Sequence, residues 1–574
     1  LDSMPDGNVV LDVLTTANPE GVIAKSSLTF TPLNYNSGQV ITVTGVSDLV
    51  VNGDNLYTIR IFVNNSSTTD TTGYAFLDPV EVSEVYKNII YDNESADMML
   101  DNKDILRLWS DVVGPLARGE GNIPLIDGAL EESYKLDDLS RRAAYHYQGQ
   151  MMIFSSAAYC LNKSTWIADV ETGLKLFKKY IHDLENLRAQ SNSGSIVLDP
   201  FYTDQGRTGI TPKKVLLFKA KQNGTNVPEY EWNDITEKQA VAYISHILGF
   251  MAKRPQNAEQ GELFLYYLDF IVNDYLFMMA TEIEAWHWTG AYPNLLALLN
   301  AKLKVPLEPR LQANSYYSAI NDNEWWIFFI AAKVKEILAS NENYLSRYSA
   351  EKIKVIDDIL DIAYQSFNTR LQDNTGFLYD TGKWKDHRSN VWSSYADIDF
   401  PVVNTPPQMN DMQSWDISHF QRMPWVLLAL EQGDIKRKAY YQRLRYRLAE
   451  QFANNVMYVQ NNFPLLKNFL NGENGWYNLQ FDEGYGFGPS TLSYSLIQGA
   501  WGSLIESVPQ IEAGYRLLLE VITSDDPDYI ERRTAYYGRI ITPFQGSLYS
   551  SFDESGPGSI AEARIKILLY LYGK

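Results

Sequence analysis

The chain divides into two parts that differ in the pattern of their apolar and polar positions. In residues 1–82 the pattern is short and alternating, as from Gln39 to Thr44, which is typical of half-buried β-strands. Turn signals at Asn34–Gly38 and Asn52–Asn55 separate these runs, and the strand LYTIRIFV follows the second turn. The pattern therefore predicts a small all-β sandwich over 1–82.

From residue 97 to residue 574 the apolar positions recur with the helical period, after a linker at 83–96. The predicted helices cover 101–117, 138–161, 166–190, 236–253, 259–281, 291–303, 322–340, 349–372, 416–432, 435–458, 490–508, 511–523 and 559–572. Long loops at 191–235, 373–414 and 473–489 interrupt them, and long loops on a helical scaffold are usually functional. Paired helices predict a large all-α (α/α) toroid. The structural alternative is a solenoid, which the lack of a clear repeat period disfavours.

Composition and charge restrict the partners of the chain. It has 49 Lys and Arg against 70 Asp and Glu, a net charge of −21, and 13% aromatic residues. The aromatic content excludes a disordered chain, and the acidic balance argues against nucleic acids and against a broad basic membrane face. With no run of about 18 apolar residues, we expect no transmembrane helix. Phosphate-loop, dinucleotide and His-Glu-x-x-His motifs are missing and the six histidines are scattered, so we predict no cofactor and no metal.

The aromatic residues are unevenly placed. All 13 tryptophans lie outside residues 1–82, and several stand beside carboxylates at 284–288, 322–326 and 384–416. Tyr and Trp combine an apolar face with a polar tip, which suits a ligand such as a sugar chain. The alternative is a core that is simply rich in aromatic residues. The clustering beside carboxylates favours an aromatic sugar cleft.

The strongest candidate site is the run Ala319–Leu338, in which N-capping residues precede an apolar helix that begins with two tryptophans. Glycoside hydrolysis requires two carboxylates, one protonated and one ionised. We predict Asp322 as the lead catalytic carboxylate, with Glu324 or Asp416 as the second. The predicted sugar-stacking rings are Trp325, Trp326, Trp384 and Trp415. The alternative is a capped inner helix without any chemistry.

A second candidate is the run Trp415–Arg422, where Asp416 is a plausible N-cap. His419 and Arg422 are three residues apart and share a helix face, and a histidine there could carry a proton. The preceding loop adds two further candidates for substrate binding, His387 and Arg388. The alternative is an exposed first-turn histidine with no role.

Two weaker candidates complete the predicted binding residues. Trp286 and Trp288 stand at the end of a long helix, where core packing is the alternative. Tyr485 lies in the run GWYNLQFDEGYGFGPS, whose glycines would let the backbone approach a ligand, although a solvated loop is an equal alternative.

The run LTFTPLNYNSGQVITVTGVSDLVVNGDNLYTI, followed by GYAFLDPVEV, resembles the bacterial Calx-β-like repeat. Tyr35 stands where that family usually has Trp, and Ser47 and Asp48 stand where it often has two acidic residues. The resemblance implies a spacer or adhesive module in a bacterial protein that is secreted or displayed on the cell surface.

The run NDNEWW, Asn321–Trp326, resembles the start of an inner helix in toroid glycosidases such as endo-α-1,6-mannanases, where two aspartates stand two residues before Trp-Trp. Asp322 matches the second aspartate and Asn321 replaces the first. The runs TGFLYD and QSWDISHFQRMPWVLLALEQGD resemble the strand-turn and the next inner helix of such toroids. Trp286-x-Trp288 more distantly resembles toroid lyases of the hyaluronate and chondroitin class, which use a Tyr/His pair.

These features lead to one hypothesis with two alternatives. The first is an exported polysaccharide-degrading enzyme, a glycoside hydrolase. The second is a polysaccharide lyase, in which His419 or His287 with a tyrosine abstracts a proton and Arg422 or Arg388 binds a uronate. The third is a catalytically inactive glycan-binding surface protein, which the replacement at Asn321 motivates. In each case the partner is a polysaccharide or oligosaccharide.

Overall fold

The structure is a computed structural model, and it describes residues 4–15, 21–23, 26–39, 41, 43–45, 55–64, 66–70, 80–86, 102–118, 151–198, 212–220, 227, 229–231, 234–287, 290–305, 315–372, 376–385, 387, 412–478, 485–537, 540–543, 549–550 and 559–573. The chain separates into two units. The first is Leu1–Ile105 with Gly573–Lys574, and the second is Leu106–Tyr572.

The first unit is built from antiparallel β-strands. Their bounds are Val9–Thr15, Gly21–Ile23, Ser27–Phe30, Val43–Gly45, Asn55–Val63 and Val80–Tyr86. Four of them form one sheet, in the order Ser27–Phe30, Val9–Thr15, Asn55–Val63 and Val80–Tyr86. The other two strands pair with each other. Val9, Val13, Leu28 and Phe30 form its buried core, as the alternating pattern predicts. The strand expected at Gln39–Thr44 begins only at Val43, and the last strand passes residue 82 and ends at Tyr86.

The second unit is mainly helical. Its α-helices include Ser164–Leu176, Leu184–Asn192, Asp234–Met251, Ala258–Asp269, Leu295–Lys304, Asp322–Ser340, Ala350–Arg370, Ile417–Phe420, Met423–Gly433, Lys438–Gln451, Pro509–Thr523, Pro527–Tyr537 and Ile560–Tyr572. Small two- to four-stranded sheets lie between them, among them Met457–Gln460 with Phe463–Leu466 and Tyr477–Asn478 with Tyr485–Phe487. We call Asp322–Ser340 the central helix.

Three helices run side by side in the same direction: Asp234–Met251, the central helix and Met423–Gly433. The ring of His246 lies 6.2 Å from that of Phe329 and 5.6 Å from that of Trp425. Further along, Lys333 Nζ lies 3.5 Å from where a Cβ on Gly249 would be, and it donates a hydrogen bond to Gln432 Oε1 at 2.8 Å. Because the contacts advance along all three helices together, the three N-termini lie at the same end of the unit.

The helical unit closes on itself. Its last helix, Ile560–Tyr572, packs against the π-helical turn Trp109–Val113 near the start of the unit and against the 3₁₀ segment Ala500–Ser507. The predicted fold class, a large helical domain with a small β part, is confirmed.

Two predicted helices are interrupted, each for a local reason. The helix expected at 166–190 breaks at the strand Ile181–Asp183, because Asp183 accepts the backbone N–H of Asn186 and starts a new helix. The helix expected at 490–508 is short and largely 3₁₀. It is broken at Gly499, which has φ +85° and where a Cβ would lie 2.8 Å from the Ile153 side chain.

One apolar stretch bears on the expectation of no transmembrane helix. Of the described residues, the continuous helical stretch Ala258–Thr281 is long and apolar enough to cross a membrane, and 61% of its most apolar window is buried inside the chain. A core helix of a soluble domain has the same properties, so the expectation stays a prediction.

The close approach of two helices makes a testable requirement for glycine. A Cβ on Gly433 would lie 2.0 Å from the carbonyl oxygen of Ala332 on the central helix. Gly433→Ala should therefore lower the free energy of unfolding by about 1–3 kcal/mol, because backbone has to move. Gly261→Ala is the matched control, since its Cβ meets nothing closer than 3.7 Å and should stabilise its helix by about 0.5–1 kcal/mol. Equal unfolding curves in urea for both variants would contradict the packing argument.

Candidate functional site

The N-terminus of the central helix is closed by a capping box. The side chain of Asn321 accepts the backbone N–H of Asn323 at 2.9 Å, and Glu324 Oε2 accepts the backbone N–H of Asn321 at 2.7 Å. Two orphan N–H groups are thereby satisfied, which explains why the helix begins at Asp322, as predicted.

Asp322 forms an ion pair across two helices. Its Oδ2 accepts Arg422 Nη1 at 2.6 Å, and the Arg422 side chain is buried. The Asp322 side chain keeps 18% of its surface exposed, and among the described residues nothing donates to its other oxygen, Oδ1. One carboxylate oxygen is therefore held in place while the other remains available to a ligand.

Both carboxylate oxygens of Glu324 accept hydrogen bonds inside the protein. Its Oε1 accepts Lys302 Nζ at 2.7 Å, both side chains are buried, and its Oε2 belongs to the capping box. With both oxygens engaged inside the protein, Glu324 lacks the solvent-facing oxygen that the predicted role of second catalytic carboxylate requires.

Asp416 and His419 form a second pair. Asp416 caps the helix Ile417–Phe420, accepts the hydroxyl of Ser418 at 2.7 Å and lies 2.9 Å from Nδ1 of His419. Burial alone would raise the pKa of Asp416, but the charge of His419 and the hydrogen bonds from His419 and Ser418 together hold that pKa below its usual value. The buried Asp416 therefore orients the imidazole rather than facing a substrate.

The imidazole of His419 is the most open of these groups. Its side chain is 36% exposed, and no described residue bonds its second ring nitrogen, Nε2. A histidine with Nδ1 on a carboxylate and a free Nε2 is arranged to exchange protons through Nε2.

Sequence reasoning missed two residues that complete this region. The hydroxyl of Tyr477 lies 3.4 Å from Nδ1 of His419. The amide of buried Asn468 donates to the carbonyls of Gly475 and Gly488 at 2.8 and 2.7 Å, and so fixes the hairpin that carries Tyr477. The sequence predicted a loop in the run GWYNLQFDEGYGFGPS, and no local pattern marked Asn468.

The predicted sugar-stacking rings lie in the core. Trp325, Trp326, Trp384 and Trp415 are 0–7% exposed. The ring centre of Trp415 lies 4.6 Å from those of both Trp325 and Trp384, at interplanar angles of 47° and 64°, and that of Trp326 lies 5.7 Å from that of Phe329. With so little surface exposed, none of the four rings offers a face to a sugar in this structure, contrary to the expectation of a tryptophan-lined cleft.

The remaining predicted residues are placed as follows. His387 is buried, with its ring 5.0 Å from that of Trp384 and 4.8 Å from that of Tyr316. Trp286 and His287 lie on the strand Ala285–His287, and Tyr485 begins the strand Tyr485–Phe487. Arg388 and Trp288 lie outside the described residues.

Asp322 and His419 lie on two different helices, which Arg422 connects. Arg422 follows His419 by three residues and reaches Asp322 on the central helix, so it brings the two partly exposed groups to the same end of the helical unit. Glu324, Asp416 and Arg422 lie behind them, buried and paired.

Comparison with known proteins adds little to this geometry. No protein-family profile and no curated protein match the chain. A solved structure that does match is the crystal structure of a family 76 glycoside hydrolase from a bovine Bacteroides thetaiotaomicron strain, at 10% identity, a TM-score of 0.28, and coverage of 98% of this chain and 92% of that chain. At this identity and TM-score the match assigns no activity to the chain.

The Asp416–His419 pair should contribute stability that depends on pH. Because its folded pKa is lowered, Asp416 stabilises the fold above its unfolded pKa of about 3.9, and this contribution disappears as pH falls through the folded value. Asp416→Asn should lower the free energy of unfolding by about 1–3 kcal/mol at pH 7, with the difference from the unmodified protein shrinking below about pH 4. Urea unfolding from pH 7 to pH 3 measures it.

The matched control is Asp358→Asn, which removes an exposed carboxylate paired with Lys354. It should change stability by less than about 1 kcal/mol at any pH. A loss for Asp416→Asn that stays constant down to pH 3 would refute the linkage.

Proposed function

We propose that the chain is a glycoside hydrolase that uses Asp322 and His419 as its proton-transferring pair. One observation carries the proposal. Each of these side chains has one atom bound to a buried partner and a second atom left open, and Arg422 brings the two to the same end of the unit. Acid–base catalysis needs such side chains, each held by a buried partner through one atom and able to reach a substrate through another.

In this mechanism Asp322 is the base and His419 the acid. The free Oδ1 of Asp322 takes a proton from a water molecule as the water oxygen attacks the anomeric carbon. The bond from that carbon to the glycosidic oxygen breaks, and the leaving oxygen takes a proton from Nε2 of His419. Asp416 orients the imidazole through Nδ1, and Arg422 holds the carboxylate of Asp322 in position.

This assignment changes the predicted pair but keeps its lead residue. The sequence suggested Glu324 or Asp416 as the second carboxylate. Both are buried and fully engaged, whereas His419 is partly exposed. We therefore assign the role of proton donor to the imidazole of His419, which Asp416 orients.

A polysaccharide lyase remains the second candidate, and the contact between Tyr477 and His419 favours it. A Tyr/His pair could remove the proton next to a uronate carboxylate and protonate the leaving oxygen. That chemistry also needs a cation for the uronate, and the guanidinium of Arg422 is already paired with Asp322. A substrate carboxylate would have to displace Asp322, so we favour hydrolysis of a neutral glycan.

The location of the protein stays a proposal as well. We infer secretion or surface display only from the resemblance of residues 1–82 to Calx-β-like modules.

Substitution of the base tests the proposal directly. Asp322→Asn should reduce the release of reducing ends from a responsive polysaccharide by about 10²–10⁴-fold, because the proton acceptor is lost. The matched control is Asp528→Asn, the same change in the first turn of the helix Pro527–Tyr537. Turnover by Asp322→Asn at the control level would reject the mechanism.

The inactive alternative is tested by Asn321→Asp, which restores the second aspartate of the toroid pattern while keeping an N-cap residue. If the chain lost catalysis with that aspartate, this variant should gain product formation on a glycan that the unmodified chain binds without cleaving. No gain is expected under the proposed mechanism.

Product analysis separates hydrolysis from elimination. A lyase forms an unsaturated uronate that absorbs in the ultraviolet, whereas a hydrolase forms only reducing ends. We expect no ultraviolet absorbance from any uronate-containing polysaccharide, and Tyr477→Phe should keep most of the hydrolytic rate because its hydroxyl takes no part. An absorbing product that Tyr477→Phe abolishes would establish the lyase instead.

A further inference from the structure

Two buried ion pairs hold the chain around Asp322. Lys302 Nζ lies 2.7 Å from Glu324 Oε1, and Arg370 Nη1 lies 3.0 Å from Asp380 Oδ1. All four side chains are at most 7% exposed. Charges buried this deeply require partners, because leaving one unpaired costs several kcal/mol.

Both pairs also bind the backbone immediately before Asp322. Asp380 Oδ2 accepts the backbone N–H of Ile320 at 2.9 Å, before Asp322 in the chain. Glu324 Oε2 accepts the N–H of Asn321 at 2.7 Å, from the first turn that follows. Two consecutive backbone N–H groups before Asp322 are therefore bound to side chains that are themselves fixed.

The two pairs are joined to each other. Arg370 Nη2 donates to the backbone carbonyl of Lys302, so the residue that binds Glu324 is tied to the residue that binds Asp380. Asp380 is further fixed by its backbone N–H, which donates to the carbonyl of Arg370 at 3.0 Å. It also has φ +48°, a left-handed conformation that few residues other than glycine adopt. A non-glycine residue held in this region inside a core signals a constraint that the surrounding structure maintains.

Buried ion pairs are weak sources of stability, since apolar residues of similar size often serve the fold as well. Buried ion pairs instead fix the positions of the residues that they join, because their hydrogen bonds require a specific geometry. A catalytic carboxylate needs that: a displacement of about 1 Å can cost about 10²-fold in rate. Stability alone does not account for two linked pairs that both bind the backbone next to one partly exposed aspartate.

We propose that Lys302, Glu324, Arg370 and Asp380 form a clamp of positioning residues that holds the carboxylate of Asp322 in its catalytic place. The clamp rests on the proposed function, in which Asp322 is the base. It gives Glu324 a role through Asp322 rather than on the substrate.

The test compares two double variants on the same helix. Lys302→Met/Glu324→Gln removes the clamp pair and keeps an acceptor for the capping box. Lys333→Met/Glu336→Gln makes the same changes further along the central helix, in a pair of the same length and similar burial. Both should lower the melting temperature. Only the clamp variant should lower kcat, by about 10- to 100-fold, with KM changed less than about twofold because substrate-binding groups are untouched.

Conservative substitution provides the rescue. Lys302→Arg keeps the charge and the ion pair with Glu324, and should retain most of kcat. If the clamp double variant does not fold, Glu324→Gln alone decides the matter, and a kcat equal to that of the unmodified enzyme would overturn the clamp. Equal losses of kcat in both double variants would overturn it too, since the effect would then be general.

A structural readout keeps the clamp separate from the proposed function. Crystal structures of the double variants should show a broken Asp322–Arg422 ion pair in the clamp variant and an intact one in its control, whatever the activity. If Asp322→Asn leaves turnover unchanged, the proposed function fails while this readout still judges the clamp. If Asp322→Asn abolishes turnover and the ion pair survives in the clamp variant, the clamp fails and the function stands.

Discussion

Charge taken into an apolar interior has to be paired, and this constraint shapes the end of the helical unit where Asp322 lies. Glu324 pairs with Lys302, Arg370 with Asp380, Asp416 with His419 and Arg422 with Asp322. These pairs define how the central helix meets its neighbours, because each pair joins two positions of the chain at hydrogen-bonding distance. They also select the groups open to solvent, since the partly exposed members, Asp322 and His419, are backed by buried partners.

The local part of this arrangement could be predicted from the sequence. The central helix was predicted at its observed bounds, because a capping residue and an apolar run are local signals, and the cap at Asp416 was predicted for the same reason. The residues that pair with these side chains from elsewhere in the chain were not predicted. Lys302 is 22 residues from Glu324, and Tyr477 is 58 from His419. Contacts between such distant positions arise only from the packing of whole helices, which no single segment encodes.

The tryptophans show why an aromatic pattern is ambiguous. A ring beside a carboxylate suits a sugar cleft, but it suits a core just as well, because burial depends on what other segments place against it. Trp325, Trp384 and Trp415 come from three separate parts of the chain and cover one another. Because Trp325 stands in the first turn of the central helix, these buried rings belong to the core next to Asp322.

The shared direction of the three neighbouring helices has an electrostatic consequence. Each helix carries a macrodipole with its positive end at the N-terminus, and here the positive ends are gathered at one end of the unit. Parallel dipoles repel, and at the N-terminus of the central helix the acidic first-turn residues Asp322 and Glu324 offset that repulsion. A chain with a net charge of −21 thus has, at this end, a local field that favours negative charge. Such a field would favour the binding of an anionic group at this end.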